Sequence, residues 1–521
     1  MLSSKSGTLL KSTAIAAVIG LSSLIGTSTV AAQATNTATY AMYADIKDWD
    51  PAIAFSMEVV MLSNVYEPLL WYKPENDESK FTPALATDWS VSDDGLTWTF
   101  NLRENVKFHD QTAFNAEAAK ASLERTIAMK KGAYYIWPEM EITAVSEHQL
   151  VIKTKTPAAI DLIASSQYGA YIYSTAAAQK GTDWFNQGNA AGTGPYEVTQ
   201  WEKGQHVILD KNQGYWGGWK EKQLDRVILK LVSNPATQVQ MLKAGDADFI
   251  TLPSADLIPS LAKDKNVVVQ DTASWKNSQF LINTQKYPTD NRQFRQALTH
   301  AWDYNSVVDY IYEGGASVSK GIIPSTMWGA NPNLETPSFD LAKAKELLEA
   351  SGVPKKDWKL SISYINSSEA YKNAALMYQE NLRQIGVTLE LKPGPWGKIW
   401  NDAKNLRTAP HLQSMTWWPT YATPSDWLVG LFKTEETTSF NLSHYSNKQY
   451  DELVDKGVSF EAVDKDKATQ YYQQAQQMLM DDAVAIFYAD LKGRNIFHKN
   501  IHGVTANPAY TATFFYSVTK G

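Results

Sequence analysis

Few residues of this chain have the types and spacing that catalysis requires. Nucleophilic hydrolysis needs an activated serine or cysteine beside a base, yet the 521 residues include no cysteine and no G-x-S-x-G motif. Among the eight histidines, His498 and His502 have a ligand-like spacing of four, but the glutamate of an H-E-x-x-H motif is missing. We therefore predict no catalytic residue, no metal site and no cofactor.

Two further patterns resemble parts of functional motifs. Gly192-Thr193-Gly194 looks like half of a phosphate-binding loop, but the Lys-Ser/Thr of a P-loop and the dinucleotide spacing are both absent. We interpret it as a turn. Asp93-Asp94 and Asp481-Asp482 are adjacent carboxylates, which more often form a solvated face than an acid–base pair of fixed separation.

Aromatic side chains are the unusual component of the composition. The chain has 18 Trp, 26 Tyr and 17 Phe, more flat apolar surface than a core requires. Its 44% hydrophobic and 20% charged residues are ordinary for a globular protein, and its net charge of −7 argues against a nucleic-acid partner. The length corresponds to about three structural units.

The first 34 residues are predicted to be a secretory signal peptide. Lys5 and Lys11 form a positively charged region before an apolar stretch from Ala14 to Ile25, and Ala32-Gln33-Ala34 supplies small residues for cleavage after Ala34. The alternative, a membrane anchor, would need a longer apolar run with less Ser and Thr. Because a cysteine-free chain has neither disulfides nor a lipidated cysteine, we predict a periplasmic protein that is not embedded in the membrane.

Strands and helices alternate along the rest of the chain without a repeat or a flexible linker. Asp94-Gly95 is flanked by alternating apolar residues, which predicts a hairpin over 87–102. Other strands are expected at 37–44, 149–155, 196–201, 388–391 and 483–489, and helices at 56–70, 115–129, 235–244, 294–312, 340–350, 370–385, 447–456 and 464–479. Such a mixture is typical of an α/β protein whose units are joined by short crossovers.

Several segments, in a fixed order, carry a family resemblance. They are Asp50-Pro51-Ala52, Asn64 to Leu70, Pro83 to Trp89, Asp94 to Arg103, Val106 to Asp110, Phe114 to Glu117, Gly192 to Tyr196, Phe294 to Leu298 with Asp303, Asp340 to Ala344 and Ser446 to Asp451. Together they resemble the bacterial extracellular solute-binding proteins, family 5, which serve ATP-driven importers of peptides, nickel chelates and oligosaccharides.

The resemblance implies an α/β fold of two lobes, a type II, cluster C-like periplasmic binding protein with an additional subdomain in the N-terminal lobe. Lobe I would comprise 35–78, 193–287 and 489–521, the subdomain 79–192, and lobe II 288–488. Crossovers near 282–285 and 485–489 would act as hinges. The implied function is capture of a solute by lobe closure and its delivery to an inner-membrane ABC permease, without catalysis and by a monomer.

The resemblance also suggests where a ligand binds. The segment from Trp417 to Trp427 corresponds to the family's cleft loop, and Trp417, Trp418 and Tyr421 would form apolar walls. Phe55-Ser56-Met57 matches a strand edge that pairs with extended peptide in relatives. Further aromatic candidates are Trp396, Trp400 and Trp275.

Two positions depart from the peptide-binding pattern. Thr420 stands where peptide receptors of the family have an aspartate for the free amine, and Thr423 replaces an acidic residue before Pro424. Asp426 is a possible substitute, at a different offset. The ligand therefore stays open between a peptide or peptide-like solute and an oligosaccharide or a sugar or opine conjugate. A nickel chelate is a further variant, and a secreted hydrolase is the less favoured alternative.

Overall fold

The computed structural model describes residues 36–73, 80–251 and 253–521. The predicted signal peptide therefore lies outside the described residues, as does the predicted boundary between 78 and 79. In the part that is described, no helix combines the length and the apolar character needed to cross a bilayer.

Strands and helices are mixed throughout. The strands are β1 (Thr37–Met42), β2 (Leu70–Tyr72), β3 (Phe81–Pro83), β4 (Ala86–Val91), β5 (Thr97–Leu102), β6 (Met140–Ser146), β7 (Gln149–Thr154), β8 (Tyr196–Glu202), β9 (His206–Lys211), β10 (Arg226–Leu231), β11 (Phe249–Ile250), β12 (Val267–Ile282), β13 (Ala316–Val318), β14 (Lys359–Ile365), β15 (Thr388–Gly394), β16 (Leu412–Trp417), β17 (Ala485–His498), β18 (Ile501–His502) and β19 (Thr519–Lys520). The helices are α1 (Val59–Val65), α2 (Ala116–Met129), α3 (Ile160–Ile163), α4 (Thr175–Ala178), α5 (Thr182–Phe185), α6 (Pro235–Ala244), α7 (Ile258–Ala262), α8 (Arg292–His300), α9 (Tyr304–Ser306), α10 (Leu341–Ala350), α11 (Glu369–Gln384), α12 (Trp396–Lys404), α13 (Ser425–Phe432), α14 (Lys448–Phe460) and α15 (Lys465–Asp481).

One large sheet contains most of the long strands. Its order is β15-β14-β16-β12-β17-β11-β1-β10-β9-β8, and β13 pairs with β17 beside this path. The strands β12 and β17 are the longest and pair antiparallel from Val267 opposite His498 to Leu281 opposite Ala485. They join the β14–β16 part of the sheet to the part that contains β1 and β8–β11.

The pairing of β12 with β17 is irregular at two points. Its register shifts between Thr272 and Lys276 and again between Ser278 and Gln279. Such bulges disrupt the ladder locally and bend the strand. We therefore expect the sheet to bend at these two points.

Separate apolar cores stabilise these parts. Phe280, Trp302 and Tyr378 form the centre of the core between β14–β16 and the helices α8 and α11, with ring centroids 4.8–5.8 Å apart. Another core lies beneath β1 and β8–β10 and includes Trp49 and Tyr196. Since Trp49, Trp302, Trp417 and Trp427 are all fully buried, much of the tryptophan content serves packing.

A smaller sheet of order β4-β5-β7-β6 packs with α2. Asn115 begins this helix as predicted, since its side chain accepts a hydrogen bond from the Ala118 N–H at 2.9 Å. Gly245 likewise ends α6 with a φ of 83°, the left-handed conformation that glycine adopts readily.

Two predicted helices are wrong in extent. The expected helix over 294–312 is broken, because Asp303 leaves helical geometry and caps a new turn by accepting from the Ser306 N–H at 3.0 Å. A π-helical turn over Val307–Ile311 follows. The expected helix over 56–70 is helical only over Val59–Val65, and the chain enters β2 at Leu70.

The Gly192-Thr193-Gly194 turn packs directly on the end of α1. A Cβ atom at Gly192 would lie 1.9 Å from the Val65 carbonyl oxygen, so only glycine fits there. The Thr193 hydroxyl donates to Glu67 at 2.8 Å, and the Tyr215 hydroxyl and Trp216 indole N–H donate to the same carboxylate at 2.9 Å each. Close packing explains these glycines.

Candidate functional site

A group of aromatic rings meets where distant parts of the chain come together. Phe55 is its centre, with ring centroids 4.9 Å from Tyr168, 5.3 Å from Phe440 and 6.2 Å from Trp418. We call the following residues the aromatic cluster: Phe55, Tyr135, Tyr168, Trp400, Trp417, Trp418 and Phe440. Flat rings of this kind bury large areas and can orient a ligand by stacking.

The elements that carry these rings are far apart in sequence. Phe55 precedes α1, Tyr135 lies in a short 3₁₀ turn after α2, and Tyr168 follows α3. Trp417 ends β16, whereas Phe440 belongs to the loop between α13 and α14. The cluster therefore draws on the segment before α1, the region of the small sheet and the part of the chain after β15.

Trp417 and Trp418 have different environments although they are neighbours. Trp417 is only 2% exposed, and its indole N–H donates to Asp426 at 3.3 Å. Trp418 is half-buried, and its ring centroid lies 6.3 Å from that of Trp417 in a stacked arrangement. Its buried indole nitrogen completes no hydrogen bond with the described residues. Trp418 is thus the one of the two that presents its face to Phe55 without being fixed in the core.

Asp426 holds the predicted cleft loop in place. Its Oδ2 accepts from the Thr420 N–H at 2.7 Å, and its Oδ1 accepts from the Tyr135 hydroxyl at 3.1 Å. Complete burial raises the pKa of Asp426 to about 7. Because Thr420 is also fully buried, neither residue offers an exposed polar atom at the loop surface.

A second buried carboxylate lies behind Thr423. The Thr423 hydroxyl donates to Glu461, and the Tyr472 hydroxyl donates to the same Oε1 at 2.5 Å. Burial raises the pKa of Glu461. The Tyr421 hydroxyl is paired with Ser425 at 2.8 Å, and the Tyr421 side chain is buried. Thr420 is thus hydrogen-bonded to a carboxylate of its own loop, Asp426, and Thr423 to a carboxylate from a later segment, Glu461.

The loop also contacts the segment that follows α3. The Ser166 hydroxyl donates to the Thr420 carbonyl at 2.6 Å, and the Gln167 amide donates to the Pro419 carbonyl at 3.1 Å. The Tyr135 hydroxyl is 2.9 Å from the Thr420 hydroxyl. These hydrogen bonds join residues more than 250 positions apart and fix the loop against the region of the small sheet.

The predicted backbone edge Phe55-Ser56-Met57 lies outside the strands. It forms a turn into α1, and the Ser56 carbonyl accepts hydrogen bonds from the Val59 N–H and the Tyr168 hydroxyl at 3.3 and 3.1 Å. Ser56 is exposed, and Phe55 and Met57 are half-buried. The structure therefore brings the side chain of Phe55 into the cluster.

The remaining aromatic candidates divide into two groups. Trp400 joins the cluster through Phe440 at 5.5 Å, and Trp396 lies 4.9 Å from Trp400 on the same helix, α12. Trp275 is 5% exposed, and its ring lies 6.0 Å from that of Tyr72. In the described parts of the chain, its ring contact is thus with Tyr72 and not with a member of the cluster.

Sequence analysis missed Tyr135, Tyr168 and Phe440. Phe440 is an isolated aromatic residue in a polar loop, Thr437 to Asn441, and such a position is a usable signal for a binding surface. Tyr135 lies in the aromatic run Tyr134 to Trp137, which gives no sign of which ring faces the site. Tyr168 has no local signal, because its role depends on a contact with Phe55.

Comparison with known proteins identifies the family of this chain. The family described as "Bacterial extracellular solute-binding proteins, family 5 Middle" matches residues 80–439, which is more than half of the chain. The chain belongs to this family. Its members are solute-binding proteins, not enzymes, and the two-lobed α/β fold predicted from the resemblance is confirmed.

Relatives of this solute-binding protein cover nearly its whole length. The probable D,D-dipeptide-binding periplasmic protein DdpA of Escherichia coli K12 is 28% identical over 484 residues, which are 90% of this chain and 92% of the relative. The periplasmic binding protein DppA of Helicobacter pylori, solved with the peptide STSA, is 25% identical with a TM-score of 0.83, covering 93% of this chain and 98% of that one. A dipeptide-binding protein of Pseudoalteromonas sp. SM9913, solved with Met-Leu, has a TM-score of 0.84 at 24% identity and covers 93% of this chain and 100% of that one.

The raised pKa of Asp426 predicts a pH-dependent stability of this solute-binding protein. Since the pKa of about 7 in the folded protein exceeds the ordinary value of 3.8 for an aspartate, the native state holds this proton more tightly than the unfolded chain does. The stabilisation is complete below about pH 4 and is lost as the pH rises through 7. The free energy of unfolding of wild type relative to Asp426→Asn should therefore fall by about 3–4 kcal/mol across that interval.

Urea denaturation at a series of pH values measures this difference. Glu104→Gln, which changes an exposed carboxylate, serves as the control and should follow wild type at every pH. A difference between wild type and Asp426→Asn that is constant with pH would contradict the assignment.

Proposed function

We propose that this chain is the periplasmic receptor of an ABC importer and that it captures a peptide or peptide-like solute between two lobes. The observation that carries the proposal is the aromatic cluster, because its rings come from both sides of the strands β12 and β17. With the lobe boundaries expected from the sequence, Phe55 belongs to lobe I, Tyr135 and Tyr168 to the subdomain, and Trp418, Phe440 and Trp400 to lobe II.

The same contacts support closure of the lobes. The hydrogen bonds of Ser166 and Tyr135 to Thr420 join segments that these boundaries assign to different lobes, so they exist only when the lobes are together. A ligand shifts an open–closed equilibrium only through contacts that differ between the two states. The register shifts in β12 and β17 are the points at which we expect the chain to bend. In β12 they precede the crossover predicted near 282–285, and in β17 they lie within and just after the crossover predicted near 485–489.

The peptide class is supported by the relatives. One is named for D,D-dipeptides, and two of the structural neighbours were solved with the peptides STSA and Met-Leu. Extended peptides of varied sequence also suit a site built of ring faces, because stacking does not require one particular side chain. We further propose export by the predicted signal peptide, no lipid anchor, a monomeric state and recognition of the closed form by an inner-membrane permease.

Thermal denaturation with candidate ligands tests the proposal. A ligand that binds only the folded state raises the free energy of unfolding by about 2.7 kcal/mol at a hundredfold excess over its Kd. We therefore expect di- to tetrapeptides to raise the Tm, to change tryptophan fluorescence and to reduce the radius of gyration in solution scattering. The control is an oligosaccharide of similar mass, which should do none of these.

Two outcomes would contradict the proposed function. Stabilisation by oligosaccharides and not by peptides would change the solute class. An unaltered scattering curve with a stabilising peptide would refute capture by closure, and turnover of a peptide would show an enzyme.

A further inference from the structure

Glu58 is a buried carboxylate in which only one of the two oxygens accepts hydrogen bonds from the described residues. Its side chain is 2% exposed, and its Oε1 accepts the N–H groups of Lys47 and Asp48 at 3.2 and 3.3 Å. Its Oε2 is buried and has no hydrogen-bond partner in the described parts of the chain. Because an unpaired buried carboxylate oxygen is costly, this atom needs a donor that the described residues do not supply.

Glu58 lies close to Phe55 and Tyr168, two members of the aromatic cluster. Glu58 is separated from Phe55 by two residues and directly precedes α1. Its carboxylate contributes to the raised pKa of Tyr168, whose ring is 4.9 Å from Phe55, and to the raised pKa of Tyr43, about 12. Burial is the larger cause in both tyrosines, but the contributions show that both phenols lie within electrostatic reach of Glu58.

The nearest lysine along the chain does not neutralise this carboxylate. The Lys47 ammonium points toward α12, where it lies 3.6 Å from the position of a Cβ atom at Gly397. No ion pair of Glu58 is found within the described ranges. Burial raises the pKa of Glu58, and the described residues provide no cation that would stabilise its ionised form.

The other two buried carboxylates near the cleft loop are already occupied. Asp426 accepts from Tyr135, Thr420 and Trp417 through its two oxygens, and Glu461 accepts from Thr423 and Tyr472. Of these three carboxylates, Glu58 is the one with a buried oxygen that lacks a partner in the part of the chain that is described.

We propose that Glu58 binds a primary ammonium group of the ligand, so that the cation is held beside α1 and not by the loop that contains Thr420. This inference rests on the proposed capture of a peptide, whose α-amine is such a group. An ammonium donates strong, charge-assisted hydrogen bonds to a carboxylate. The faces of Phe55, Tyr168 and Trp418 would stabilise the same cation through cation–π attraction.

A cycle of protein and ligand changes tests this assignment. The proteins are wild type, Glu58→Gln and the exposed control Glu104→Gln, and the probes are Met-Leu, D-Ala-D-Ala and Ser-Thr-Ser-Ala, each with a free and an acetylated amine. Titration calorimetry should show that acetylation weakens binding to wild type by about 50-fold or more, the cost of leaving a buried charge unpaired. Glu58→Gln should bind the free peptide as weakly as wild type binds the acetylated one, and acetylation should then matter less than about threefold, because the two changes remove the same interaction.

The substitution is designed to keep the fold. A glutamine oxygen can still accept the N–H groups of Lys47 and Asp48, so the Tm without ligand should match that of wild type. The effect of acetylating the ligand is measured on the wild-type protein, so this part of the test does not depend on whether Glu58→Gln folds. Glu104→Gln should behave as wild type with every probe.

The outcomes separate this inference from the proposed function. An acetylation penalty of equal size in wild type and Glu58→Gln would overturn the role of Glu58. If glucosamine binds and no peptide does, and if Glu58→Gln loses glucosamine binding, the peptide would be refuted as the solute class. The role of Glu58 in binding an ammonium group would then be supported. Binding of maltotriose alone, or of no probe, would count against both.

Discussion

Trp417→Ala is expected to lower the free energy of unfolding by about 3–5 kcal/mol, the usual cost of removing a buried tryptophan. The ring is 2% exposed, and its edge would lie 3.2 Å from a Cβ atom at Gly430, which shows how closely it packs on α13. Its loss also removes the indole donor of Asp426, a carboxylate that is fully buried. Chemical denaturation without ligand measures the effect.

Trp418→Ala is the matched variant, and its effect should fall on binding. Trp418 is half-buried and contacts Phe55 without a completed hydrogen bond. We expect a change in stability below about 1 kcal/mol, together with a loss of roughly 1–3 kcal/mol in ligand affinity by calorimetry, the value of a buried aromatic contact. Equal losses of stability in the two variants, or unchanged affinity in Trp418→Ala, would contradict this division of roles.

The fold was predictable wherever a local signal determined the structure. The caps Asn115 and Gly245 and the hairpin turn Asp94-Gly95 each act within a few residues, and the structure has the predicted elements there. The prediction failed at Asp303, where an apolar period of 3.6 continued past a residue that caps a new turn. Helical periodicity indicates only that apolar residues share one buried face. Two short consecutive helices can bury the same face, so the pattern does not reveal a break between them.

The site was less predictable because its charges and rings come from distant segments. The sequence has threonine at 420 and 423, where peptide-binding relatives have acidic residues. From these two positions alone, the loop would be expected to lack the carboxylates that bind a ligand amine. In the structure, Asp426 accepts a hydrogen bond from Thr420, and Glu461 accepts one from Thr423. Glu58 gave no signal, since a single glutamate before a helix is ordinary, and its unusual property is an oxygen left unpaired by burial.

Breaking the Asp50–Arg125 pair should have an effect as large as that of Trp417→Ala. Asp50 is fully buried and accepts both Arg125 guanidinium nitrogens, at 2.8 and 2.5 Å, as well as the Thr182 hydroxyl at 2.7 Å. The Asp50 hydrogen bonds raise the pKa of Arg125. Arg125→Met should lower the free energy of unfolding by about 3–5 kcal/mol, because it leaves a buried carboxylate without its cation.

The double variant Asp50→Asn/Arg125→Met distinguishes the lost pair from lost packing. If the cost is the uncompensated charge, the double variant should be more stable than Arg125→Met alone, and additive losses would contradict that origin. The pair also has a functional consequence, because Asp50 begins the segment that leads to Phe55 and Glu58. The same segment packs closely against Gly132 at Ile53. A Cβ atom at Gly132 would lie only 2.6 Å from the Ile53 carbonyl oxygen. Arg125→Met should therefore weaken peptide binding in the folded protein as well, since the side chains that meet the ligand depend on this anchor for their position.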